Sequence, residues 1–340
     1  MTKLIEIKNL RVHFDVDEGT AKAVDGVSFD IGENRVLGVI GESGCGKSVT
    51  AHSILRIVPS PPARMAGGQI LFHPRSNGGV QAPPVDLLTL DPKGEDIRKI
   101  RGKEIGMIFQ EPMTSFGPLH TIGDQIMETI ITHDRTSKAE ARTRTIELLR
   151  RVGIPNPEKR VDDYPHKFSG GMRQRAMIAM ALSCSPRLLI ADEPTTAIDV
   201  TVQAQILELL RELKEATGMA ILLITHNLAV VSELADEIVV MYMGRVMERA
   251  PAEELFNNPL HPYTIGLLHS IPVLDGPVVR LEQIKGSVPS PCALPDGCVF
   301  HPRCDKCRQG VCDGQEVPEL KEISPGHWVS CFPQPGGRGL

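Results

Sequence analysis

Eight consecutive residues, Gly41-Glu42-Ser43-Gly44-Cys45-Gly46-Lys47-Ser48, put a lysine and a hydroxyl directly behind a glycine-rich run. This is the G-x-x-x-x-G-K-[ST] spacing of a phosphate-cradling loop. The glycines let successive backbone N–H groups aim at one anion. Lys47 then reaches the outer phosphates, and Ser48 offers an oxygen to Mg²⁺. A chance glycine-rich turn would lack the flanking elements, and both are present. The apolar run Val36 to Ile40 reads as a buried strand entering the loop, and Val49, Ser53, Ile54 and Ile57 read as a helix leaving it. The loop therefore sits at a helix N-terminus, where the dipole favours negative charge. The expected ligand is a nucleoside triphosphate with Mg²⁺.

Four further polar residues fall at or just past the ends of apolar runs: Gln110, Asp192, Glu193 and His226. In open α/β sheets the carboxyl edge of the strands is where ligands bind. Asp192 fits the acid that holds Mg²⁺ through its water shell. Glu193 is placed to orient or deprotonate an attacking water. His226 could contact the γ-phosphate. Gln110 on its own is a weak signal, since strand-end glutamines also serve as ordinary hydrogen-bonding residues.

These residues need elements to hold them. Alternation of apolar positions from Leu4 to Ile31 expects a short antiparallel sheet before the loop. Pro59 to Pro84 is rich in Pro and Gly and reads as a loop or small insertion, with only Gln69 to Phe72 strand-like. Ile105 to Phe109 reads as a short strand. Thr121 to Val152 is mostly helical, with Thr136 or Ser137 as a cap. A helix is expected from Arg173 to Leu182, and strands at Leu188–Ala191, Ala220–Ile224 and Ile238–Met243. Ile206, Leu207, Leu210 and Leu213 share one face of a helix over Thr201 to Thr217. Buried strands alternating with helices expect a mainly parallel sheet. Beyond Pro259 proline rises and periodicity fades, so a loop-rich region begins.

Length and composition bound the rest. A chain of 340 residues suits one large domain with an appendage, or two domains. The net charge of −5 supplies no basic field for nucleic acid. No apolar run approaches the roughly 20 residues of a membrane span, and no secretory leader is evident; the expectation is a cytosolic or peripheral protein. Disulfides are then not expected. Six of the eight cysteines nonetheless lie between Cys292 and Cys331. Cys45 and Cys184 read as small buried fillers.

Together the set resembles the ATP-binding subunit of ABC transporters over about the first 260 residues. Gly41 to Ser48 is similar to the Walker A loop, Leu188 to Asp192 to the Walker B strand, and Glu193 to the catalytic glutamate. Gln110 resembles the Q-loop glutamine, also a Mg²⁺ contact, and His226 the switch histidine. Phe168-Ser169-Gly170-Gly171-Met172 is similar to the LSGGQ signature, and Thr196-Ala197-Ile198-Asp199 to the D-loop. Met172 and Ile198 depart from the commonest residues. The resemblance implies an α/β ABC-type P-loop ATPase core over 1–258, with an antiparallel β subdomain and a helical subdomain at about 111–180. A loop-rich extension occupies 259–340. Phe14 is the choice for the adenine-stacking aromatic, although a core role on its strand is a close competitor.

The implied mechanism is a head-to-tail dimer enclosing two ATP molecules, each held by one subunit's loop and the other's Ser169–Gly171. Closure and reopening drive a membrane domain. His261-Pro262-Tyr263-Thr264, Ser270-Ile271-Pro272 and Gly286-Ser287-Val288-Pro289-Ser290 resemble the C-terminal extension of dipeptide/oligopeptide importer ATPases. Glu111-Pro112-Met113-Thr114-Ser115 fits the same group, whose members also import nickel chelates and some oligosaccharides. The resemblance implies an ATPase powering solute import from the cytoplasmic face of the membrane. Its implied partners are a second homologous ATPase subunit, two permease subunits and, indirectly, a solute-binding protein. Cys298, Cys304, Cys312 and Cys331 resemble the four ligands of a [4Fe–4S] cluster in some of these extensions. Zinc and free thiols are the alternatives, and Cys304-x-x-Cys307 could displace Cys312 from the set. A soluble ABC ATPase of DNA repair or translation usually carries a coiled-coil insertion or two cassettes, and neither is visible. A module that holds ATP without turnover would not need Glu193 and His226.

Overall fold

The computed structural model describes residues 2–75, 82–111, 115–195, 199–270 and 284–332, and the structural statements below concern these residues. The chain opens with strands β1 (Lys3–Val16) and β2 (Gly19–Gly32). Ile5 and Ile7 are buried, then Leu10 and Val12. The change of phase between the two pairs marks a bulge at Asn9, whose φ is 49°. Strand β3 (Val36–Ile40) is buried along its whole length and feeds the loop that precedes helix α1 (Lys47–Ile54). Ile57 falls outside that helix, because Arg56 turns left-handed with φ 56°.

Strand β4 (Ala63–Phe72) corrects the sequence reading, which expected strand only from Gln69. Glycine-rich residues have little strand preference of their own, but β1 supplies the pairing, from Ile5 opposite Phe72 to Phe14 opposite Ala63. Gly68 is the residue that permits it: φ is +92°, and a Cβ there would lie 2.4 Å from the Asn9 carbonyl oxygen. Strand β5 (Val85–Asp86) completes the sheet in the order β2-β1-β4-β5.

Helix α2 (Glu95–Ile100) and strand β6 (Ile105–Ile108) follow. Helices α3 (Ile122–Asp134) and α4 (Lys138–Arg151) are started by Thr121 and Ser137, whose side chains accept from the N–H groups of Asp124 and Glu140. Helix α5 is a single turn (Pro157–Arg160). Helix α6 (Gly170–Ala181) begins three residues before the expected Arg173, because Ser169 caps it. Then come β7 (Leu188–Asp192), α7 (Val200–Thr217) and β8 (Ala220–Ile224). The chain continues through α8 (Leu228–Leu234), β9 (Glu237–Tyr242), β10 (Arg245–Pro251), α9 (Ala252–Asn257) and α10 (Pro262–His269). Strands β11 (Lys321–Ser324) and β12 (His327–Val329) come last.

These elements form two compact units that do not follow chain order. The first takes residues 1–4, 31–36 and 89–224. Its strands β6, β7 and β8 run parallel, with Leu188 opposite both Ile105 and Ala220. Helix α7 buries Ile206, Leu207, Leu210 and Leu213, the stripe expected from sequence.

The second unit takes residues 5–30, 37–88 and 225–340. Here β3 pairs parallel with β9, β9 antiparallel with β10, β10 with β12 and β12 with β11. Among the described residues beyond Pro259, helix α10 and the hairpin β11–β12 stand out from an otherwise loop-rich segment. Its hairpin turns at Pro325-Gly326, a turn signal that could have been read. One buried carboxylate ties it in. Glu248 is 0% exposed and accepts from Leu260 N–H (2.7 Å), His261 N–H (2.9 Å) and His327 Nε2 (2.7 Å). An unpaired buried carboxylate would be costly, and three donors offset that cost.

Candidate nucleotide-binding site

The loop between β3 and α1 has the conformation that its glycines allow. Gly46 sits at φ +98°, and a Cβ there would lie 2.2 Å from the Ala23 carbonyl oxygen. No other residue fits that position. Gly46 also stands at the N-cap of α1, so Lys47 and Ser48 open the helix. Lys47 is only 6% exposed, and its ammonium donates to the carbonyls of Gly41 (2.7 Å) and Glu42 (3.0 Å). A buried ammonium needs acceptors, and arriving phosphate oxygens would take over from these carbonyls. Ser43 and Gly44 are exposed, Cys45 is buried, and Ser48 and Val49 are half-buried. Burial raises the Cys45 thiol pKa, which leaves it a neutral filler. Phe14 lies on β1, half-buried, in the same unit as the loop.

In the first unit, Asp192 ends β7 at 2% exposure. Glu193 follows with φ 48°, a left-handed conformation that is uncommon for a residue with a side chain. Its N–H donates to Ile224 O (2.8 Å) at the end of β8, which pins the turn. Gln110, just past β6, donates from Nε2 to Glu193 Oε2 (3.0 Å). Two residues 83 positions apart are thus joined at the carboxyl edge of the parallel strands. In the second unit, His226 is exposed and Asn227 behind it caps α8.

Ser169 and Gly170 are exposed at the start of α6, and Ser169 Oγ accepts from Met172 N–H (3.3 Å). A Cβ on Gly170 would meet nothing within 4 Å, so the space over it is open to a ligand or partner. Gln174, which sequence reasoning did not single out, is 1% exposed and donates to Pro194 O (2.6 Å). It fastens the signature helix to the turn after β7. Asp199 caps α7 by accepting from Val202 N–H (2.9 Å). Thr196, Ala197 and Ile198 lie outside the described residues, as do Pro112 to Thr114 and Ile271-Pro272.

Cys298, Cys304, Cys312 and Cys331 line one pocket together with His261 and Phe300. Cys292 and Cys307 are not among its lining residues. The expected closed metal-binding set is not met as such. Among the described residues no three His, Cys, Asp or Glu side chains are placed to hold one metal ion. The Cys331 thiol is pushed up to about 12 by burial and then by the thiols of Cys298, Cys304 and Cys312.

Sequence reasoning also missed Tyr263 and Arg303, which touch the phosphate loop at Glu42. Tyr263 lies within the H-P-Y-T run, but nothing in the run says what it touches. Among the described residues no helix is long and apolar enough to cross a membrane.

The chain matches the ABC transporter family over residues 24–196 and the oligopeptide/dipeptide transporter C-terminal region over residues 247–312. It is 50% identical over 332 residues to the oligopeptide transport ATP-binding protein AppD of Bacillus subtilis, covering 98% of this chain and 97% of that one. It is 46% identical over 334 residues to the dipeptide transport ATP-binding protein DppD of the same bacterium, covering 98% and 96%. Among solved structures it is similar to the ATP-binding cassette MJ0796 in a dimeric post-hydrolysis state bound to ADP and Pi. That match has a TM-score of 0.63 and 26% identity, over 73% of this chain and 98% of that one.

Proposed function

Since the chain belongs to the ABC transporter ATP-binding family and carries that family's oligopeptide/dipeptide C-terminal region, we propose that it powers the import of di- or oligopeptides. It is an ATPase of the family's kind. The single observation behind the peptide assignment is the joint match of cassette and extension, with identity of 44–50% to peptide-transport subunits over almost the whole chain.

Each side chain has a task in this reading. The N–H groups of Gly41 to Ser48 and the Lys47 ammonium hold the phosphates. Ser48, Gln110 and Asp192 are the residues that would hold Mg²⁺, which neutralises charge on the β- and γ-phosphates. Glu193 orients and deprotonates the attacking water, and Gln110 sets the direction of its carboxylate. His226 contacts the γ-phosphate, and Phe14 stacks on adenine. Ser169, Gly170 and Gly171 of one subunit close over the nucleotide of the other, with Asp199 beside them. Catalysis is positioning plus electrostatics, coupled to closure of the dimer. The partner is a second, homologous ATPase subunit. Two permease subunits receive the motion on the cytoplasmic face of the membrane, and a separate solute-binding protein delivers the peptide.

We propose that Cys298, Cys304, Cys312 and Cys331, which line one pocket, would hold a [4Fe–4S] cluster, with zinc the alternative. Anaerobic purification should give visible charge-transfer absorption and about four irons per chain. Stoichiometric zinc without iron would overturn the assignment.

The function is tested in the reconstituted transporter. Glu193→Gln should lower ATP hydrolysis by about 10²–10⁴-fold while ATP-dependent dimerisation persists. Wild-type turnover in that variant would refute the catalytic assignment. Vesicles carrying the wild-type complex should accumulate labelled oligopeptide in an ATP-dependent way, and uptake of a nickel chelate alone would refute the substrate class.

A further inference from the structure

Glu42, the second residue of the phosphate loop, has its polar groups held from two directions. Its carbonyl accepts from Lys47 Nζ (3.0 Å), inside the loop. Its carboxylate is gripped by both arms of Arg303, Nη1 to Oε2 at 2.6 Å and Nη2 to Oε1 at 3.0 Å. Its N–H donates to the hydroxyl of Tyr263 at 2.9 Å. The last two partners lie in the C-terminal extension.

The grip is itself braced. The Arg303 side chain is 5% exposed. It also donates from Nε to Lys285 O (3.0 Å) and from Nη1 to Tyr242 Oη (3.3 Å). Its guanidinium carbon lies 5.7 Å from the centroid of the Tyr242 ring. Tyr242 and Tyr263 are fully buried and pack with centroids 4.7 Å apart. Phe300 meets Tyr242 edge-on at 5.4 Å and leans on Tyr263 at 5.3 Å. The bidentate pairing to Glu42 and the contact with Tyr242 raise the Arg303 pKa, so the charge on the clamp persists at any working pH.

We propose that Arg303 and Tyr263 are positioning residues for the phosphate loop, which the extension holds in its nucleotide-accepting geometry through Glu42. The inference rests on the ATPase reading above. The physical reason lies in Lys47. To reach the phosphates its ammonium must leave the Gly41 and Glu42 carbonyls, and the loop must keep its shape while this happens. A loop fixed at Glu42 before binding has less conformational entropy to lose when ATP arrives. An unfixed loop would follow the ammonium. The clamp therefore acts on nucleotide affinity, whereas a tie that merely anchored the extension would act on stability alone.

The experiment measures the dissociation constant for MgATP on the full chain in a Glu193→Gln background, so that nucleotide is not consumed. The midpoint of urea unfolding is measured in parallel. Arg303→Met should weaken MgATP binding about tenfold, and Glu42→Gln by a similar factor. The double variant Glu42→Gln/Arg303→Met should be no weaker than either single one, as expected for a coupled pair. Tyr263→Phe keeps the buried ring and removes only the hydroxyl, so it probes the clamp if Arg303→Met fails to fold; it should weaken binding about threefold. Arg303→Lys should restore only part of the affinity, because a point charge cannot make the two-armed contact. Unchanged affinity in Tyr263→Phe and Arg303→Met, with a lowered urea midpoint, would overturn the proposal and leave the extension a structural tie. Lys47→Ala separates the two readings. If it abolishes binding while the clamp variants do not, the positioning role fails and the ATP reading stands. If Lys47→Ala binds MgATP normally, the ATP reading itself fails.

Discussion

Between Gly41 and Ser48 the constraints are local: three glycines, a lysine and a hydroxyl at fixed offsets, ahead of a helix that starts where they end. Between Glu42 and Arg303 lie 261 positions, and the contact exists only because Tyr242, Tyr263 and Phe300 build an aromatic wedge under the arginine. The first region can be recognised in any sequence that contains it, since its chemistry dictates its spacing. The second cannot, since any arginine of the extension would look equally suitable on paper. The phosphate-loop spacing is thus written in one place, and its Glu42 is contacted from another.

Substitutions at each end can break or sharpen this contrast. The largest effect is expected in the extension's anchor. Glu248→Ala strands three donors, two of them buried, and should cost about 3–5 kcal/mol in urea unfolding. If the cost stays below about 1 kcal/mol, the anchor is not what holds the extension to β10. Next is the loop. Gly46→Ala forces a side chain against Ala23 O at a φ that disfavours it. It should weaken MgATP binding at least about a hundredfold, with little change in the far-ultraviolet dichroism. Wild-type affinity there would show that the loop reshapes freely. At the strand ends, Gln110→Ala releases the Glu193 carboxylate. It should lower kcat about tenfold and also weaken MgATP binding, since Gln110 is one of the residues proposed to hold Mg²⁺; wild-type kcat in that variant would remove Gln110 from the positioning of Glu193. The smallest effect is expected at the signature. Ser169→Ala removes the cap of α6 and should cost about 1 kcal/mol of stability. Loss of cooperative ATP hydrolysis in the same variant would mark the exposed hydroxyl as a contact across the dimer.

The candidate site was legible wherever a motif is short. The strand Leu188–Asp192, the loop at Lys47 and the stripe Ile206-Leu207-Leu210-Leu213 all follow from residue type and period. Misreadings came where pairing overrode propensity. Ala63 to Gly68 looked like loop because it is poor in strand formers, yet β1 pairs with Ala63, Arg64, Met65 and Gly67. The extension is loop-rich as expected over residues 284–320, and what its prolines hid is the hairpin that adds to β10.

From the residues alone came the phosphate chemistry, the strand-end acids and the clustering of six cysteines between Cys292 and Cys331. Each is a matter of side-chain type at a fixed offset, which the chain carries whether folded or not. Only the tertiary structure decided that Gln110 meets Glu193, that Glu248 is buried among three donors, and that Arg303 closes on Glu42. The physical reason is that burial sets the strength of a polar contact, and burial belongs to the packed molecule rather than to any segment of it.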